Sequence, residues 1–114
     1  MDLDEIKNSI NEFASKRNWD QFHSPKNLAM AIGSESGELL DIFQWMTEEE
    51  SKSPDQKTMN LIKEELADIM IYCIRTCDVL NIDPLESMNL KIQKNQSKYP
   101  IDKSYGNAVK YNRR

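Results

Sequence analysis

An all-α fold of four helices is what this sequence predicts, and three observations predict it. Only 3 glycines and 4 prolines occur in 114 residues, too few turn formers for a sandwich or barrel of short strands. Apolar residues recur at three- and four-residue spacings over long stretches, the period of amphipathic helices. Two cap-then-proline pairs, Ser24-Pro25 and Asp83-Pro84, place a side-chain acceptor directly before a proline suited to the first helical position.

The elements follow in order. Leu3, Ile6, Ile10 and Phe13 lie on one face behind Asp2 or Asp4 as N-cap, predicting a first helix over about 2–16. A polar aromatic segment, Asn18 to His23, leads to Ser24-Pro25 and a second helix over about 25–46. Thr47 to Asp55, with three consecutive glutamates and Pro54, reads as a solvated loop. The most apolar stretch forms a third helix over about 56–80, and Asp83-Pro84 opens a fourth over about 84–98, stopped before Pro100. The last 14 residues, with Gly106 and the paired Arg113 and Arg114, read as an extended tail.

The length suits one domain over residues 1–114. Its 39% hydrophobic content is modest for so small a chain, so packing is expected to be completed by homo-oligomerisation. Fifteen basic against 19 acidic residues give a net charge of -4 and a pI near 5.0, which disfavours nucleic-acid backbone binding. No run reaches the roughly 18 to 20 apolar residues of a membrane span, and the N-terminus is acidic where a signal peptide is basic. Cys73 and Cys77, four apart on one helix face, read as buried free thiols of a reducing cytoplasm. A soluble cytoplasmic protein is expected.

Carboxylates interrupt the greasy faces. The second helix carries Leu28, Ile32, Leu39 and Ile42 as its apolar stripe, with Glu35 in the middle and Glu38 at the edge. The third carries Ile62, Leu66, Ile69, Cys73, Cys77 and Leu80 as its core stripe, with Glu65, Asp68 and Tyr72 on an adjacent flank. A carboxylate on a buried stripe persists only if protonated, ion-paired or bound to a cation. If the two helices pack antiparallel, two acidic pairs face each other and make an all-oxygen site for a hard cation, Mg²⁺ or Mn²⁺. The alternative is pairing of Glu35, Glu38, Glu65 and Asp68 with Lys or Arg of other helices or of a partner subunit. A ferritin-like di-iron bundle is disfavoured, because it needs Glu-x-x-His on two helices and the sole histidine, His23, follows no such glutamate.

The segments Glu35-Ser36-Gly37-Glu38-Leu39-Leu40, Glu64-Glu65-Leu66-Ala67-Asp68-Ile69-Met70-Ile71-Tyr72 and Asn95-Gln96-Ser97-Lys98-Tyr99-Pro100 closely resemble the MazG-like all-α nucleoside triphosphate pyrophosphohydrolases. Arg17 to His23, Pro25 to Leu28, Phe43-Gln44-Trp45 and the Gly106 to Tyr111 stretch are similar to the dCTP pyrophosphatase branch, with Asn107 where a serine is usual. The resemblance implies a four-helix MazG-like bundle that hydrolyses a nucleoside triphosphate to monophosphate and pyrophosphate, as house-cleaning of the nucleotide pool. It implies Mg²⁺ on Glu35, Glu38, Glu65 and Asp68, and a tetramer built as a dimer of dimers with active sites shared between subunits.

Carried over onto this chain, Trp19, His23, Trp45 and Tyr72 would surround base and sugar. Taken alone, the tryptophans suit core or interface packing, and His23 a capping or surface place. Lys91, Asn95, Lys98 and Tyr99 at the end of the fourth helix, with Lys110 and Tyr111 of the tail, would receive phosphate oxygens; solvated lysines are the plainer reading. Glu38 would orient or deprotonate the attacking water. Rival readings are broader nucleotide or phosphoribosyl-ATP specificity, or a helical oligomer that binds nucleotides without turnover.

Overall fold

The computed structural model describes residues 1–113, so Arg114 of the expected Arg113-Arg114 pair lies outside the described residues. The described chain is helical throughout: α1 (Leu3–Lys16), α2 (Pro25–Phe43), α3 (Glu48–Ser51), α4 (Gln56–Val79), α5 (Pro84–Lys98) and α6 (Ile101–Ser104), with 3₁₀ turns at Asp20–Phe22 and Tyr111–Arg113. No helix among the described residues is long and apolar enough to cross a membrane.

Side-chain caps set most of the starts. Asp2 accepts from the Glu5 amide at 2.8 Å, Ser24 from Asn27 at 3.2 Å, Asp55 from Thr58 at 2.8 Å and Asp83 from Glu86 at 3.1 Å. Each satisfies an amide that the first turn leaves without a partner. Proline follows directly after the caps of α2 and α5.

Two expected boundaries change. The second helix ends at Phe43, not Met46, and the expected loop after it contains α3. The cause is a capping box. Thr47 accepts from the Glu50 amide at 3.1 Å while the Glu50 carboxylate accepts from the Thr47 amide at 3.2 Å, and three glutamates in one turn suit a positive helix N-terminus. The tail is likewise not simply extended: Pro100 stands as N-cap of α6, and a 3₁₀ turn follows at Tyr111–Arg113.

The chain divides into two compact units, Met1–Asn81 and Ile82–Arg114. In the first, α4 packs along α2 and also meets α1. Ala14, Leu28 and Ile62 are its buried apolar side chains, and Arg75 is its buried charge. Leu28, 1% exposed, has no room to relax away. Leu28→Ala is expected to lose about 3 kcal/mol of stability in urea unfolding.

The buried face of α4 differs from the expected stripe. Ile62 and Arg75 are buried and Glu65, Ile69 and Tyr72 half-buried, whereas Leu66, Cys73 and Leu80 are exposed. The thiols therefore do not lie in a core: Cys73 is exposed and Cys77 half-buried. The helix is apolar on two faces; on the acidic flank Glu65 and Tyr72 are half-buried, whereas Asp68 is exposed.

The end of α1 follows from backbone geometry. Asn18 adopts a left-handed φ of 54°, a conformation asparagine tolerates. Its amide donates to Ser15 O at 3.0 Å and that of Trp19 to Ala14 O at 2.9 Å, the paired bonds of a Schellman motif. The reversal lays Trp19 edge-on against Phe13, ring centroids 5.6 Å apart. Asn81 also takes a left-handed φ of 56° at the end of α4, its amide donating to Asp78 O at 3.1 Å.

In the second unit α5 carries Lys91, Lys94 and Lys98 at helical spacing. The Lys98 charge, then burial and Lys94, holds the Lys91 ammonium below its ordinary value. Lys98 Nζ lies 4.8 Å from the centre of the Tyr111 ring, and Tyr111 meets Tyr99 edge-on at 6.0 Å.

Candidate metal and nucleotide site

The first unit holds an acidic cluster and an aromatic cavity, both built on α4. Carboxylate oxygens of Glu35, Glu38 and Glu65 lie within 4.8 Å of one another. One oxygen each of Glu35 and Glu65, Oε2 in both, is buried and has no hydrogen-bond partner in the protein. Carboxylates crowded in this way repel when ionised, and their buried oxygens lack solvation.

Their acidity records the strain. Glu65 is pushed up from the ordinary 4.5 to about 7, by the proton it shares with Glu35, by burial and by the charge of Glu38. Sharing with Glu65 pulls Glu35 down, but burial, Glu38 and Asp68 outweigh it and leave its carboxyl above the ordinary value. Among the described residues, no lysine or arginine ion pair reaches Glu35, Glu38 or Glu65. The all-oxygen donor set and the two orphaned oxygens fit a hard divalent cation.

Asp68 stands apart from this trio. Its charge is felt at Glu35, and it lines a neighbouring cavity of about 400 Å³. Trp19, His23 and Tyr72 line the same cavity, together with Phe13, Ile71 and Arg75. Trp19 meets His23 edge-on, centroids 6.4 Å apart. Three of the four side chains expected around a base thus share one cavity, whereas Trp45 is 88% exposed and does not line it. Lys91, Asn95, Lys98, Tyr99, Lys110 and Tyr111 all belong to the second unit.

Residues 30–113 match the MazG-like family. The chain belongs to that family. Among individual proteins similar to this MazG-like chain, dCTP pyrophosphatase 1 of Bos taurus is 37% identical over 113 residues, covering 96% of this chain and 66% of that protein. Its Homo sapiens counterpart is 34% identical over 113 residues, covering 96% and 65%. This chain therefore spans just under two thirds of the length of those mammalian relatives. The crystal structure of a pyrophosphatase from Archaeoglobus fulgidus superposes with a TM-score of 0.82 at 39% identity, over 86% of this chain and 92% of that one.

Arg75 is a further residue of the cavity, not among those expected from the sequence. It is 8% exposed and donates to three side chains: from Nε to His23 Nδ1 at 3.2 Å, from Nη1 to Asn11 Oδ1 at 2.8 Å, and from Nη2 to the Asp20 carboxylate. A signal was available, because Arg75 lies three residues beyond Tyr72 and so continues the Glu65, Asp68, Tyr72 flank.

Proposed function

We propose that this MazG-like protein hydrolyses deoxynucleoside triphosphates between the α- and β-phosphates, releasing monophosphate and pyrophosphate, with dCTP or a modified cytosine nucleotide as preferred substrate. The observation that carries the reading is the trio Glu35, Glu38 and Glu65, convergent within 4.8 Å, with two orphaned oxygens and, among the described residues, no Lys or Arg ion pair to neutralise it. Glu35 and Glu65 would hold Mg²⁺ or Mn²⁺, with Glu38 and Asp68 completing the acidic wall. The bound cation would offset phosphate charge and polarise the scissile linkage.

The protein's own groups do the rest. Glu38 is exposed, which leaves its carboxylate open to orient the attacking water for in-line displacement. Trp19 and Tyr72 offer flat walls on which a base can stack, and the shared cavity of about 400 Å³ is of the size expected for a small ligand. For Lys91, Asn95, Lys98, Tyr99, Lys110 and Tyr111 of the second unit, a role toward phosphate oxygens is supported by the family resemblance alone. The mammalian relatives are named for dCTP, which supports cytosine.

We further propose a homotetramer assembled as a dimer of dimers. Support comes from the side chains that one chain leaves exposed, among them Trp45 at 88%, Leu40 at 66% and Met70 at 57%, since burial of such area drives association. Trp45 would then meet the nucleotide of a neighbouring subunit. The free thiols Cys73 and Cys77 suit a cytoplasmic enzyme.

A panel of triphosphates with Mg²⁺, read by pyrophosphate release, tests the reading. The expected result is fastest turnover with cytosine deoxynucleotides. Equal rates across bases would favour a broad pyrophosphohydrolase, fastest turnover of phosphoribosyl-ATP a different branch, and nucleotide-induced thermal protection without product a non-catalytic binder.

A further inference from the structure

His23 is held unusually for a surface-loop histidine. An arginine side chain carries five N–H donors and no acceptor, so the contact from Arg75 Nε to His23 Nδ1 at 3.2 Å has one polarity only. Arg75 donates, and Nδ1 must offer its lone pair. In a neutral imidazole the proton then resides on Nε2.

The arginine is itself fixed. Its Nη1 is bonded to Asn11 of α1 at 2.8 Å, its Nη2 pairs with Asp20 of the 3₁₀ turn, and Asp78 lies 3.8 Å from Nη1. With Arg75 8% exposed and its donors directed at protein acceptors, it is poorly placed to grip a phosphate. What it controls is the ring beside it. His23 lines the aromatic cavity with Trp19 and Tyr72. Burial, then the Arg75 charge, holds the imidazole below its ordinary 6.5, against the opposing pull of Asp20.

We propose that Arg75 is a positioning residue for base recognition: it locks His23 as the neutral Nε2–H tautomer, so that the cavity selects a base edge presenting a hydrogen-bond acceptor, a ring nitrogen or carbonyl oxygen. This deepens the nucleotide reading above and rests on it. A site that holds one fixed donor rejects an edge that presents a second donor, because both are then left unpaired in a desolvated pocket.

The chain has a single histidine, so its imidazole nitrogens can be read without assignment by long-range ¹H–¹⁵N NMR of the intact protein at neutral pH. The expected spectrum has an unprotonated Nδ1 and a protonated Nε2. An Nδ1–H tautomer, an averaged pair or an imidazolium would overturn the proposal. In Arg75→Met the nitrogens are expected to shift toward averaging, and KM for dCTP to rise about tenfold with kcat nearly unchanged, the pattern of lost ground-state and transition-state binding alike. Arg75→Lys, which keeps a donor, is expected to recover part of both effects.

An unchanged tautomer and KM in Arg75→Met would overturn the proposal, as would Arg75→Lys behaving no better than Met. If the Met variant does not fold, the wild-type spectrum and the Lys variant decide. Absence of turnover with every triphosphate would overturn the nucleotide reading, and the imidazole spectrum distinguishes that failure from loss of the Arg75 to His23 coupling.

Discussion

Glu65→Gln is expected to lower Mg²⁺-dependent turnover at least about a thousandfold, about 4 kcal/mol of transition-state stabilisation, while making the metal-free protein more resistant to heat. The two effects share a cause. Glu65 and Glu35 each bury an oxygen that has no partner, and Glu38 completes the crowd within 4.8 Å. Glutamine removes the charge that Glu65 carries above about pH 7 and keeps an N–H for Glu35, so the apo fold is relieved in that range. It also removes a negatively charged ligand oxygen, so the cation is lost. Thermal melts with and without Mg²⁺, beside turnover, check this: the wild type gains stability on adding Mg²⁺ and the variant does not. A variant that is inactive and also less stable without metal would contradict the account, since inactivity would then reflect damaged folding.

The second large effect is the pH dependence of metal binding. Glu65 keeps its proton up to about 7 in the metal-free protein, and a ligating carboxylate must give it up. Mg²⁺ binding near pH 6 is therefore expected to release about one proton, and apparent affinity to fall about tenfold for each pH unit below 7. Calorimetry in buffers of different ionisation enthalpy counts the proton. The metal-free stability has the opposite trend. Between the ordinary 4.5 and about 7 the folded state binds more protons than the unfolded chain, so stability falls as pH rises through that window and levels off above it. Saturating Mg²⁺ should flatten or reverse the slope. Binding without proton release, at an affinity independent of pH from 5 to 8, would contradict the assignment of Glu65 to the cation.

Much of this arrangement is legible in local sequence because it is encoded within one turn. The caps Asp2, Ser24 and Asp83 act over three residues, and helical spacing alone puts Glu35 on the stripe of Leu28, Ile32, Leu39 and Ile42. What escapes local reading is the choice among competing faces. α4 is apolar on two sides, so periodicity does not say which turns toward α2, and Cys73 and Leu66 prove exposed where Glu65 and Tyr72 turn inward. Arg75 escapes for a different reason: its partners Asn11, Asp20 and His23 are 52 to 64 residues away in sequence, and only packing of α1 on α4 brings them together. The capping box of α3 is legible in principle, since Thr47 and Glu50 have the required spacing, but the run of glutamates and the following Pro54 mask it.

The products formed from dCTP decide whether this acidic site cleaves between the α- and β-phosphates. With Mg²⁺ present dCMP and pyrophosphate are expected in equal amounts, and neither when the cation is chelated. Release of orthophosphate with dCDP, or the same turnover in the presence of chelator, would contradict this expectation.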